Sequence, residues 1–160
     1  MATTLISLET QARRHLKELP ALTVGSAPTV TPQGTTGATS YSYKIVAAHR
    51  HGSTEASSAG STTTGNAALS STNFNRVAWS AVTGASYYLI YRTVGGATTG
   101  LVGVVGETLQ FDDTGLTGDA TTAPTVNTSG GSFWSSAELI AHANNCFKDL
   151  WGAVIDLHQE

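Results

Sequence analysis

The sequence predicts a mainly β fold: a two-sheet β-sandwich inserted between an N-terminal and a C-terminal α-helix. Three observations carry this expectation. Apolar residues follow a period of two through the middle of the chain, and they recur every three or four residues at both ends. Between those ends the polar residues are mostly Thr, Ser and Gly, which suit short strands joined by many turns. The expected segments are a helix over 1–20, a sandwich with its linkers over 21–134, and an amphipathic helix over 135–160.

In the first segment Leu5, Leu8, Ala12, Leu16 and Leu19 share one helical face, and Pro20 ends the run. Arg13, Arg14 and Lys17 lie in its second half, where cations complement the helix dipole. The central segment reads as about seven short strands. Tyr41–Val46, Arg76–Trp79, Tyr87–Tyr91 and Leu101–Val105 are its clearest apolar runs. Gly34–Gly37, His51-Gly52, Thr83-Gly84, Gly95-Gly96 and Asp113-Thr114-Gly115 are the turns between them. The polar runs 57–65 and 117–131 read as connecting loops or linkers. In the last segment Ser135-Ser136-Ala137-Glu138 has the pattern of a capping box. Leu139, Ala143, Cys146, Phe147, Leu150, Trp151, Val154, Ile155 and Leu157 then form an apolar face too wide for a lone exposed helix. That face requires cover.

Bulk composition removes several function classes. Only 12% of the residues are charged and the formal charge is −3, so the basic stripe of a nucleic-acid groove is missing. A single cysteine, Cys146, rules out an internal disulfide and every multi-cysteine zinc pattern. Met1–Thr10 lacks the basic start and apolar run of a secretory signal. No apolar stretch approaches the roughly 20 residues that span a bilayer, so no membrane partner is expected.

The stretch Asn75-Arg76-Val77-Ala78-Trp79-Ser80-Ala81-Val82-Thr83-Gly84-Ala85-Ser86-Tyr87-Tyr88-Leu89-Ile90-Tyr91-Arg92 resembles strands B and C of fibronectin type III modules, with a buried Trp, a Gly-Ala turn and a Tyr-x-x-Tyr-Arg strand. Phe111–Leu116 resembles the stretch following strand E, Thr39–Ala48 resembles strand F, and Ser53–Ser58 the start of strand G. The resemblance implies an Ig/fibronectin type III-like sandwich whose core holds Trp79, Tyr88 and Leu116. Because the F–G hairpin precedes strand B, it implies a circular permutation opened between strands E and F. An unpermuted Ig-like sandwich with a divergent first hairpin is the alternative. Opening the module there leaves its entry and exit near Pro28 and Thr125, convenient for insertion between two helices.

Together, the sandwich and the helix from Phe133 to Trp151 resemble virion proteins of tailed bacteriophages, the adaptors of the head–tail connector in particular. This implies a structural, non-enzymatic subunit of the virion, assembled in the host cytoplasm. Its partners would be further copies of itself in a ring, together with portal and tail components. Leu8, Leu16, Leu139, Phe147, Leu150, Trp151 and Val154 are the candidate assembly residues. A head fibre or tail decoration contacting the host surface is a second expectation.

No catalytic constellation emerges. His49 and His51 are the sharpest metal candidates, yet two ligands fall short of the three or four a site requires. His142 and Cys146 share a helix face, where Cys146 reads as a small buried hydrophobe and His142 as a boundary residue. Asp112 and Asp113 point to opposite faces of an extended chain and cannot form a dyad, Asp113 serving its turn and Asp119 adding no calcium-loop spacing. The Gly-rich runs lack a phosphate-loop lysine, and Gly-x-Ser-x-Gly is absent. No metal or cofactor is therefore assigned. Tyr41, Tyr43, Tyr87 and Tyr91 are candidate stacking residues for a host-surface glycan, and a carbohydrate-binding module is the third expectation.

Overall fold

A computed structural model of the chain describes residues 21–130 and 136–157. The chain divides into two compact units, one spanning Pro20–Gly131 and the other holding the helix α1, Ser136–Leu157. The first is β throughout. Its strands are β1 (Thr29–Gln33), β2 (Thr39–His49), β3 (Gly52–Ser53), β4 (Gly60–Gly65), β5 (Phe74–Ala78), β6 (Tyr87–Val94), β7 (Gly100–Val105) and β8 (Gln110–Asp113). They form two antiparallel sheets: three strands in the order β1-β5-β8, and five in the order β3-β2-β6-β7 with β4 also on β2.

Side-chain parity decides which residues enter the core. Along β2, Tyr41, Tyr43, Ile45 and Ala47 alternate onto one face, and they meet Ile90, Tyr88 and Val102 from β6 and β7. The three-stranded sheet adds Val77, with Val30 and Phe111 packed at the margin. Trp79, just beyond β5, packs against Tyr88 with ring centroids 5.4 Å apart, while the Tyr88 hydroxyl accepts the Val82 N–H at 2.8 Å. β1 pairs only with β5, so Pro32 sits on an edge where its missing N–H costs no ladder bond.

The same parity carries four polar side chains inward. Tyr43 pairs with Arg92 across β2 and β6, and Asn75 pairs with Asp113 across β5 and β8. Arg92 and Asp113 are 1% and 0% exposed. Asp113 Oδ2 accepts Arg92 Nη1 at 2.5 Å and the Tyr43 hydroxyl at 2.7 Å, while Asn75 Nδ2 donates to that hydroxyl at 3.1 Å. Arg92 Nη2 also donates to the carbonyls of Thr98 and Leu116, at 2.7 and 2.6 Å. Asp113 Oδ1 accepts the N–H groups of Gly115 and Leu116. Gly96, at φ 71°, lies over the guanidinium so closely that a Cβ there would stand 2.6 Å from Arg92 Cζ. One ion pair thus ties both sheets and two turns together.

The second face of the five-stranded sheet is covered as well, since Val46 and Ala48 are fully buried there. The cover is the segment 119–129. It starts on β7, where Asp119 and Ala120 N–H groups reach the Leu101 and Thr99 carbonyls. It ends beyond β2, where the Pro124 carbonyl takes the Ala56 N–H and Thr128 N–H donates to Ser53.

Three expectations need correction. The run 57–65 is not merely a connection, because it contains β4; its Gly-Ser-Thr-Thr-Thr-Gly sequence has no apolar alternation to reveal an edge strand. β1 was not foreseen, and it places a strand beside β5 ahead of the first hairpin. Leu116 does not enter the core: the residue is 42% exposed, and its contribution is through the backbone. The N-terminal helix expected over 1–20 lies outside the described residues.

Replacing Arg92 with Ala leaves the Asp113 carboxylate buried and unpaired, which should cost about 3–5 kcal/mol. Replacing Arg76, whose bidentate pair with Asp112 at 2.8 Å is solvent-screened, should cost far less. Urea unfolding of both variants checks the contrast; equal losses would mean that the Arg92 pair is not what joins the sheets.

Candidate functional site

Of the expected assembly residues, Leu139, Phe147, Leu150, Trp151 and Val154 all lie on α1. Positions 139, 143, 146, 147, 150, 151 and 154 are linked by steps of three or four (139–143–146–150–154 and 143–147–151–154) and so fall along one stripe. At the start of this stripe Leu139 is half-buried, and its neighbour Ile140 is 40% exposed. Cys146 is exposed, which corrects its reading as a buried hydrophobe, and His142 is exposed too. The side chains of Phe147, Leu150, Trp151 and Val154 fall outside the described ones, as do Leu8 and Leu16. Glu138 lies in the first turn, where a carboxylate suits the positive end of the helix dipole.

The glycan-stacking tyrosines divide differently. Tyr41 and Tyr43 are fully buried, so neither can offer a ring face to a ligand. The Tyr41 ring is bounded by Gly95, where a Cβ would come within 2.5 Å of it, and its hydroxyl donates to the Asn66 carbonyl at 2.8 Å. Burial, reinforced by the Asp113 charge, holds the Tyr43 phenol far above its ordinary range. Tyr87 is 36% exposed on the opposite face of β6 from Tyr88. Tyr91 is mostly buried but lines a cleft of about 300 Å³ between 121–123 and strands β2, β6 and β7. Lys44, Thr93, Thr99, Thr121 and Thr122 share that lining. Burial pushes the Tyr91 phenol up, with Thr121 opposing and the Asp119 charge adding to the rise.

The two histidines are engaged with their own hairpin. His49 closes β2 on the core side, and its Nδ1 accepts the His51 N–H at 3.2 Å. His51 Nε2 accepts Arg50 Nε at 2.8 Å, and the rings meet edge to face at 5.7 Å. Two ring nitrogens are therefore occupied by hydrogen bonds, and the pair is not arranged as a chelate. Among the described residues no group of three His, Cys, Asp or Glu side chains is placed to hold a metal ion.

The aspartates separate as strand parity requires. Asp112 faces outward to Arg76, and Asp113 faces inward to Arg92. Asp113 does serve its turn, but the larger part of its role, the buried ion pair, was missed. The signal was available: Asn75 and Arg92 occupy the same parity as the core residues Val77 and Ile90. Asp119 Oδ1 accepts Leu101 N–H, Thr121 N–H and the Thr121 hydroxyl, and these bonds hold its carboxyl below the ordinary range.

Among the described residues no helix is long and apolar enough to cross a membrane. No protein-family model, curated protein or solved structure matches the chain.

The buried Tyr43 phenol makes stability sensitive to alkali. The folded chain keeps a proton that the unfolded chain gives up near pH 10, so this contribution is complete below about pH 10 and falls as pH rises above it. The slope for one such group is about 1.4 kcal/mol per pH unit. Urea midpoints between pH 8 and 11 should fall less steeply for Tyr43→Phe than for the parent chain; parallel slopes would contradict the assignment.

Proposed function

We propose that the chain is a structural subunit of a tailed-phage particle, of the head–tail connector (neck or adaptor) kind. In this reading α1 assembles with further copies into a ring and contacts portal and tail components, while Pro20–Gly131 projects as an Ig/fibronectin type III-like β-sandwich. The role is scaffolding, without catalysis, and its place is the virion.

The observation carrying the proposal is the apolar stripe of α1. It begins at half-buried Leu139, beside exposed Ile140, and its apolar residues continue at helical spacing to Val154, a face too wide for a lone helix. Strand neighbours support the sandwich half of the reading. Sandwiches of this class keep strands A, B and E in one sheet and C, F and G in the other. With β5 as strand B and β8 as strand E, which puts Phe111–Asp113 within that strand and not after it, β1 takes the place of strand A. With β6 as strand C, β2 and β3–β4 take the places of F and G. The F–G hairpin then precedes strand B, as the permuted reading expects, but β1 precedes that hairpin, giving an order A-F-G-B-C-E that opening the module between E and F does not produce by itself.

Trp151→Asp should abolish the assembled form in size-exclusion chromatography with light scattering. Its far-UV circular dichroism should retain the β signal, since the β unit has its own core. An assembly of unchanged mass in the variant would overturn the proposal.

A further inference from the structure

Separate from any role in assembly, the cleft beneath 121–123 has the makings of a binding site. Its lining is chemically uneven. In register, Lys44 on β2 lies beside Tyr91 on β6, and Tyr91 lies beside Leu101 on β7. Asp119 lies just outside this lining, where its Oδ1 accepts the Leu101 N–H and the hydroxyl of the lining residue Thr121, so a cation stands on the β2 side of Tyr91 and a carboxylate at the rim on the β7 side. Between them Thr93, Thr99, Thr121 and Thr122 supply hydroxyl-bearing walls.

Neither end is used up by the fold. Among the described residues Lys44 has no carboxylate partner, since the ion pairs there are Arg76–Asp112 and Arg92–Asp113. Arg92, the other cation on this wall, is fully turned inward to Asp113 and two carbonyls. At the opposite end, the hydrogen bonds to Asp119 all fall on Oδ1, which leaves Oδ2 as an acceptor. A ligand matching this wall carries an anionic group at one end and hydroxyl donors at the other, on a ring small enough for about 300 Å³.

We propose that this cleft binds an acidic saccharide residue, its carboxylate on Lys44 and its hydroxyls on Asp119 Oδ2 and the threonines. The ring lies beside Tyr91, the one stacking candidate that reaches this cleft. This gives the β unit a recognition role separate from ring assembly.

The test is a ligand-observed NMR titration of the full chain with sodium glucuronate, glucose and sodium acetate. Glucuronate should bind more tightly than either comparison compound, because each supplies only half of the match. Lys44→Gln should weaken glucuronate by at least about tenfold, the loss of one charge-assisted hydrogen bond. Lys44→Arg, which keeps the charge, should retain binding and guards against a merely misfolded variant. Thr122→Val should weaken glucuronate without changing acetate. Absence of glucuronate binding, equal binding of acetate, or indifference to Lys44→Gln would each overturn the proposal. None of these outcomes bears on assembly, which is read separately from the oligomeric mass.

Discussion

The carboxylate of Asp113 is where the two sheets of Pro20–Gly131 meet. It sits at the end of the three-stranded sheet, yet Arg92 and Tyr43, its partners, come from the five-stranded one. Burying an ion pair is favourable only when the remaining donors and acceptors are also engaged. Here Arg92 Nη2 closes two carbonyls and Asp113 closes two backbone N–H groups, so the pair organises the turns after β6 and β8 as well, while Arg92 Nε and Asn75 Oδ1 stay buried without a hydrogen-bond partner. A core of modest apolar bulk gains from such a pair a single relative placement of its two layers. Gly96 follows from the same constraint, since any side chain there would displace the guanidinium.

The outer face of the larger sheet depends on a different device. With so few charged residues, the unit covers Val46 and Ala48 with the extended segment 119–129. Backbone bonds at both ends hold that segment, together with side chains such as Asn127 and Ser129, which grip Leu22. Crossing a sheet instead of joining it leaves space between, and the Lys44 cleft is that space. Stability and the proposed recognition surface therefore arise from one crossing.

Much of this was legible from residue spacing. The runs at Tyr41–Val46, Arg76–Trp79, Tyr87–Tyr91 and Leu101–Val105 each fall in or against a strand, and Trp79 and Tyr88 pack in the core as the resemblance implied. The opposite facing of Asp112 and Asp113 followed from strand parity alone. What escaped has physical causes. β4 is an edge strand of Ser and Thr, so burial left no pattern in it. The order in 119–129 comes from long-range backbone bonds, which composition does not encode. The Arg92–Asp113 pair was hidden because Asp113 also fits a turn, and only the sheet pairing brings it to Arg92. On α1, Cys146 was assigned to the interior by residue type, although it is exposed.

In the proposed account the labour of the chain is divided: the β unit would carry a recognition surface, and the apolar stripe of α1 would be answered by other copies. The most direct measurement is the oligomeric mass of the purified full chain, with negative-stain images of the same sample, alone and with added portal protein. The account predicts a closed ring, either spontaneously or on the portal. A monomer at all concentrations, indifferent to portal, would contradict it.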